Sequence, residues 1–270
     1  MIAAMIRMRF RHAVGLLGLW MSLPLQVHAQ YPPAYPTGPA ETGRKAAPFD
    51  ITGYWVSVVT EDWRWRMFTP PKGDYTSVPL NAAGKAAADA WDPAKDEAAG
   101  EQCKSYAAPS LLRIPGRIHI TWADDNTLKV ETDAGQQTRL LHFGDWKSAG
   151  GAPTYLGESL AQWDETGALR AGRAILVAGK EVGGRSRGTM KVSTTRMRPG
   201  YLRKNGVPYS ANATLTEYFD PTTEANGDQW LWITTIVDDR QYLNTPFITS
   251  VHFKKQADGT GWDPAPCSSR

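Results

Sequence analysis

Glu61 stands inside the run 55–67. Period two would gather Trp55, Ser57, Val59, Glu61, Trp63, Trp65 and Met67 on one face, and Asp62, Arg64 and Arg66 on the other. A carboxylate held among tryptophans loses hydration, so its pKa rises and it becomes an acid or base near neutral pH. The run is long for one strand, and a bulge or turn at Glu61-Asp62 would instead send both carboxylates to solvent. Trp63 and Trp65 alternate with Arg64 and Arg66. Aromatic planes beside guanidinium groups suit an aromatic or sugar-like ligand that carries a carboxylate or hydroxyls.

His119, His142 and His252 each fall within a β-like run, and two of them have a polar neighbour at the same parity, Thr121 and Ser250. Their spacing contains neither H-x-H nor H-E-x-x-H, so no metal site is expected. An imidazole brought beside Glu61 would complete an acid–base pair. The candidate catalytic residues are therefore Glu61, His119, His142 and His252. The stretch 201–210 reads as a loop turning at Asn205-Gly206, and loops on a rigid β scaffold often carry binding residues. Tyr201, Arg203 and Tyr209 accordingly join Trp63, Arg64, Trp65 and Arg66 as candidate ligand contacts. Gly157-Glu158-Ser159-Leu160-Ala161 approaches the G-x-S-x-G elbow of α/β-hydrolases, but it runs on into Gln162-Trp163-Asp164 and a turn where the elbow needs a helix. No glycine-rich phosphate loop precedes a helix, so no cofactor is expected.

The elements that must position these residues are mostly strands. Short runs rich in Val, Ile, Thr, Trp and Tyr recur between turn residues. Strands are expected over 53–60, 63–68, 117–122, 127–133, 137–143, 159–163, 189–197, 213–219, 230–237 and 247–254. Asp124-Asp125-Asn126 reads as a hairpin turn. One helix is expected over 82–91, with Asn81 as N-cap and Pro93 soon after it, and a second short one over 95–103. The pattern predicts a mainly β fold, an antiparallel barrel or related sandwich with one or two short helices. A faint echo links 122–132 to Trp163-Asp164-Glu165-Thr166-Gly167 and, after a gap, 189–194. Its second copy is interrupted by 168–188, where Arg170, Arg173, Lys180, Arg185 and Arg187 lie among glycines. This interruption reads as a protruding hairpin or loop, or as a basic lip over a binding site.

Residues 1–29 have the pattern of a secretory leader: Arg7, Arg9 and Arg11, an apolar stretch, and Val27-His28-Ala29 before the cleavage point. Residues 30–48, rich in Pro, Gly and Ala, read as a flexible tether, and 49–270 as a single β domain. The formal charge of +3 resides in the leader arginines. The balance elsewhere argues against nucleic acid as a partner. After cleavage no membrane insertion is expected. In an exported protein Cys103 and Cys267 are expected to pair, with two unpaired thiols as the alternative.

Gly53-Tyr54-Trp55 resembles the G-x-W opening of lipocalin-type barrels. The chain is also similar to a broad group of exported bacterial proteins of no established function. That similarity rests on Gly157-Glu158-Ser159, Trp163-Asp164, the run 189–194, Gly206-Val207-Pro208-Tyr209-Ser210, Glu217-Tyr218-Phe219 and Tyr242-Leu243-Asn244-Thr245-Pro246-Phe247. The chain departs from the group by the insertion after Trp163 and by Asp239-Arg240, where Asp-Pro is usual. The resemblance implies one exported β domain and no particular activity.

Three functions fit these residues. The first is an exported barrel binding a small apolar or aromatic molecule. The second is a cofactor-free acid–base enzyme of hydratase, isomerase or lyase type. The third is a cell-envelope interaction module with an aromatic surface.

Overall fold

A closed antiparallel barrel needs an even number of strands, so a barrel of nine must contain a parallel pair. A computed structural model of the chain, which describes residues 42–148, 150–164, 175–177, 180–182 and 188–269, contains such a barrel. Its strands are β1 (Gly53–Ser57), β2 (Arg117–Asp124), β3 (Thr127–Thr132), β4 (Thr138–Phe143), β5 (Glu158–Asp164), β8 (Thr189–Thr195), β11 (Thr214–Thr223), β12 (Gln229–Asp238) and β13 (Phe247–Lys255). Around the wall they run β1-β13-β12-β11-β8-β5-β4-β3-β2 and back to β1. Only β4 and β5 are parallel, and residues 144–157 carry the chain back along the barrel between them. The expected barrel is thus present. It differs from the eight-stranded up-and-down lipocalin pattern in strand number and in this one crossover.

Two short paired strands, β6 (Ile175–Val177) and β7 (Lys180–Val182), are described within the insertion. Arg170, Arg173, Arg185 and Arg187 lie outside the described residues, as do the leader and the tether as far as residue 41. From Thr42 onward the chain turns against the barrel rim: Arg44 N–H donates to the Asp125 carbonyl, and the Trp163 indole donates to the Gly43 carbonyl at 2.8 Å.

Strand parity decides what fills the interior. Odd positions of β11, β12 and β13 and even positions of β2 and β3 are buried, while their alternates face outward. One apolar cluster holds Trp55, Ile120, Leu128, Leu141, Phe219, Ile233 and Phe253, and it ends in the ring contacts Phe49–Trp163, Phe143–Trp163 and Trp122–Phe143. A second cluster, with Leu215, Val237 and Phe247, is roofed by Ala107, Ala108, Leu202, Val207 and Tyr209.

Between the two clusters runs a polar belt: Ser159, Thr194, Glu217, Thr235 and Thr249, with Arg139 completing it. Arg139 meets Glu217 in a bidentate pair at 3.0 and 2.6 Å, and both side chains are 1 % exposed. The same guanidinium reaches Ser159 Oγ and Thr194 Oγ1 at 3.4 and 3.3 Å.

The roof contains the helices α2 (Ala82–Asp89), α3 (Pro93–Ala98) and α4 (Ala108–Leu111) and the strands β9 (Gly200–Arg203) and β10 (Val207–Tyr209). Asn81 caps α2 as expected, accepting from Gly84 N–H at 2.9 Å. The second expected helix is divided. α3 starts on the Asp92 cap and stops before Gly100 at φ 69°, and a 3₁₀ turn follows over Gln102–Tyr106. The stretch 201–210, expected as a loop, is largely the β9–β10 hairpin. Its turn glycine, Gly206, is at φ 81°, and a Cβ there would meet the Trp91 ring at 2.1 Å.

The expected strand over 63–68 is instead a single helical turn, α1 (Trp63–Arg66). Asp62 at φ 51° interrupts the extended chain, and Arg66 folds back to donate to Ser57 Oγ at 3.0 Å. Cys103 and Cys267 form a disulfide with Cα atoms 5.1 Å apart. It pins a C-terminal segment whose Ala265 exchanges backbone hydrogen bonds with Asp133 and Gly135. Closing so long a loop is worth about 5 kcal/mol in the chain-entropy treatment.

Glu217→Ala leaves Arg139 charged and unpaired in the interior. It should lower unfolding free energy by about 3–5 kcal/mol in a urea titration. The double change Arg139→Met with Glu217→Leu should cost clearly less, and equal losses would show that the pair is not the source of the effect.

Candidate functional site

After β1, Val58 N–H still bonds the His252 carbonyl at 3.1 Å, so Thr60 and Glu61 leave the barrel beside the middle of β13. Glu61 Oε2 lies 3.1 Å from His252 Nδ1 and accepts from the Thr60 hydroxyl at 3.0 Å, while Oε1 pairs with Arg66. Of the three candidate histidines, His252 is the one brought to Glu61. A carboxylate on Nδ1 favours the tautomer with its proton there, leaving Nε2 as the acceptor nitrogen.

His252 is on the outer face of the barrel yet only 7 % exposed, because two tryptophans flank it. Trp232 is its cross-strand partner on β12, with ring centres 4.6 Å apart, and Trp230 lies at 5.5 Å. Together with Glu224, Ala225, Asn226 and Asp228 of the β11–β12 turn they line an open groove of about 530 Å³. The Lys254 ammonium sits 5.7 Å from the centre of the Trp230 ring and 2.8 Å from Asp228, and this bond holds the Asp228 carboxyl below its ordinary value. The groove therefore has an aromatic wall and a polar end.

A second, smaller cavity of about 30 Å³ lies on the other side of Arg66. Trp65, Arg66 and Arg203, all read from the sequence as ligand contacts, converge on it with Arg113. The remaining candidates do not. Trp63 is 57 % exposed, and Arg64 extends into solvent, 3.6 Å from Asp74. Tyr201 donates to Asp96 at 2.7 Å, and burial with that bond pushes its phenol pKa well up. Tyr209 is fully buried in the roof, which likewise raises its pKa.

His119 stacks on Tyr54 at 3.9 Å with Nδ1 3.4 Å from Glu131, and His142 stacks on Trp146 at 4.2 Å. His142, on β4, is far around the wall from the Glu61–His252 pair; His119, on β2 next to β1, is nearer but is engaged with Tyr54 and Glu131 instead. Among the described residues, no group of three or more His, Cys, Asp and Glu side chains is gathered as metal ligands would be.

The groove's tryptophans escaped the sequence reading although a signal was present. Trp230 and Trp232 share a parity opposite to Leu231 and Ile233, which places two large rings on the outside of a strand with an apolar interior. No family model, curated protein or solved structure matches the chain, so the geometry alone carries the functional argument.

Partial burial depresses the His142 pKa below 6.5, against the opposing pull of Asp124 and Glu158. Below pH 6.5 the unfolded chain takes up this proton more readily than the folded one. The contribution of His142 to folding stability is thus fully retained above that pH and declines as pH falls. In urea titrations at pH 7 and pH 5, His142→Gln should lose less stability between the two than the parent; an equal loss would assign the acid sensitivity elsewhere.

Proposed function

We propose that the protein is an exported β-barrel that binds a small apolar or aromatic molecule in the groove of Trp230, Trp232 and His252. The observation that carries this reading is the pair of tryptophan rings flanking a nearly buried histidine on the outer wall. Rings of this kind stack on planar ligands. The groove volume also falls within the range of about 300–1,000 Å³ common for small-molecule sites. The barrel axis is a poor alternative, since bulky apolar side chains and the Arg139–Glu217 pair occupy it. Export is supported by the leader pattern and by the Cys103–Cys267 disulfide.

The Glu61–His252 contact favours a second reading on the same groove. Glu61 orients the imidazole, and Nε2 takes or delivers a proton on a bound ligand, as in a hydratase, isomerase or lyase.

Calorimetric titration with a panel of small aromatic and apolar compounds tests both readings. Binding should be saturable and fall at least tenfold in Trp232→Ala, while Trp63→Ala is unchanged; a binder indifferent to Trp232→Ala, or no binder in the panel, overturns the groove as the site. If a bound compound is converted, His252→Gln should cut turnover roughly 10²–10⁴-fold with affinity nearly preserved. Turnover untouched by that change removes the acid–base role.

A further inference from the structure

The small cavity beside Arg66 has a property that packing does not explain. Arg66, Arg113 and Arg203 are all nearly buried, at 7 %, 6 % and 3 % exposure. Arg66 is fully engaged: Nε donates to the Arg113 carbonyl at 2.9 Å, Nη2 to Ser57, and Nη1 pairs with Glu61. Arg113 Nη2 lies 3.1 Å from Asp62 in an ion pair, yet neither Nη1 nor Nη2 makes a hydrogen bond among the described residues. Arg203 uses only Nη1, which donates to the Thr76 carbonyl at 2.7 Å. Its Nε and Nη2 have no hydrogen-bond partner among the described residues.

Those two nitrogens form the side-on edge of a guanidinium, which matches the two oxygens of a carboxylate. The head group is also fixed in place. Its Cζ stands 4.9 Å over the Trp65 ring and 5.9 Å over Phe247, and Arg113 approaches the same phenylalanine at 5.7 Å. Burial and the neighbouring Arg113 charge lower the Arg203 pKa to about 10, so the guanidinium stays protonated at neutral pH. Its Nε and Nη2 have almost no surface open to water, so solvent does not satisfy them in this arrangement. Glu61 and Asp62 are committed to Arg66 and Arg113, and Asp74 accepts from the Trp65 indole. Asp62 and Asp74 attract the Arg203 guanidinium from a distance but form no ion pair with it among the described residues, and an anion bonded to its free edge lowers the cost of burying the charge. The cavity has room for little more than one carboxylate group, and Ile114, Pro115 and Leu202 in its wall suit a short hydrocarbon end.

We propose that this cavity is a binding site for a small monocarboxylate, held side-on by Nε and Nη2 of Arg203, with Arg113 supplying further charge and Trp65 stacking on the Arg203 guanidinium. It is separate from the aromatic groove and does not depend on it.

Thermal unfolding of the whole exported chain in sodium acetate, against sodium chloride at equal ionic strength, tests the site. The acetate curve should saturate, with Tm raised by about 3–6 °C at ten times Kd. Arg203→Lys should abolish the rise, while the exposed Arg64→Ala and the groove variant Trp232→Ala retain it. Because Arg203→Lys also alters the roof, Nε–H resonances of the unmodified protein supply a second readout. One buried arginine should shift saturably with acetate and not with chloride. Absence of both the Tm rise and the Nε–H shift would show that the cavity takes up water alone. Phosphate or chloride acting as strongly as acetate would also overturn the assignment.

Discussion

The structure depends on a charge pair placed where a barrel of this size normally has only apolar side chains. Arg139 and Glu217 meet across the interior from β4 and β11, strands separated in the wall by β5 and β8. A pair like this need not add stability over a hydrophobic equivalent, but either partner alone is heavily penalised. It therefore acts on register: a slip of one residue in β4 or β11 would turn one charge outward and strand the other inside. The threonines and serine of the belt complete this layer. The same β11–β12 register also sets the groove, because the parity that turns Glu217 and Thr235 inward turns Trp230 and Trp232 outward.

With the interior occupied by side chains, the aromatic groove opens on the outside of the wall. Glu61 is the junction of the outer surface. One of its oxygens holds the imidazole that the two tryptophans flank, and the other holds the guanidinium that folds α1 back onto β1. The groove and the arginine cavity thus lie on either side of a single carboxylate. They differ in chemistry, one presenting aromatic planes and the other fixed N–H donors with positive charge. The turn that creates this junction is short, and it depends on Asp62 adopting the left-handed conformation that Asp tolerates better than most residues.

Much of the barrel was legible because alternation is a strong signal. Leu128 and Val130, Leu231 and Ile233, and Val251 and Phe253 each mark an inward face. Asn81 and the Asp125-Asn126 turn were equally plain. What alternation cannot tell is whether the chain stays extended. Trp63-Arg64-Trp65-Arg66 alternates well, yet it is helical, because a backbone reversal at Asp62 and a tertiary contact from Arg66 to Ser57 override the pattern. Glu217 and Arg139 carry a signal of their own in the sequence. Each stands at core parity, Glu217 between Leu215 and Phe219 and Arg139 beside Leu141, and opposite charges at two such positions imply a buried pair. The meeting of Glu61 with His252 was foreseen only as one of three possible histidines, since the choice depends on how β1 and β13 close the barrel. The convergence of Arg113 with Arg203 depends on the roof and has no local signature.

The central claim is that this barrel has a filled interior and binds its ligand on the outer wall. The most direct measurement is a chemical-shift map of the protein, labelled at indole N–H, at the histidine rings and at Ile, Leu and Val methyl groups, during titration with a small aromatic binder. The expected result is that the indole resonances of Trp230 and Trp232 and the ring of His252 move together, while the methyls of Ile120, Val130, Val192 and Ile233 stay in place. Saturable shifts confined to those interior methyls, with the groove unperturbed, would contradict it.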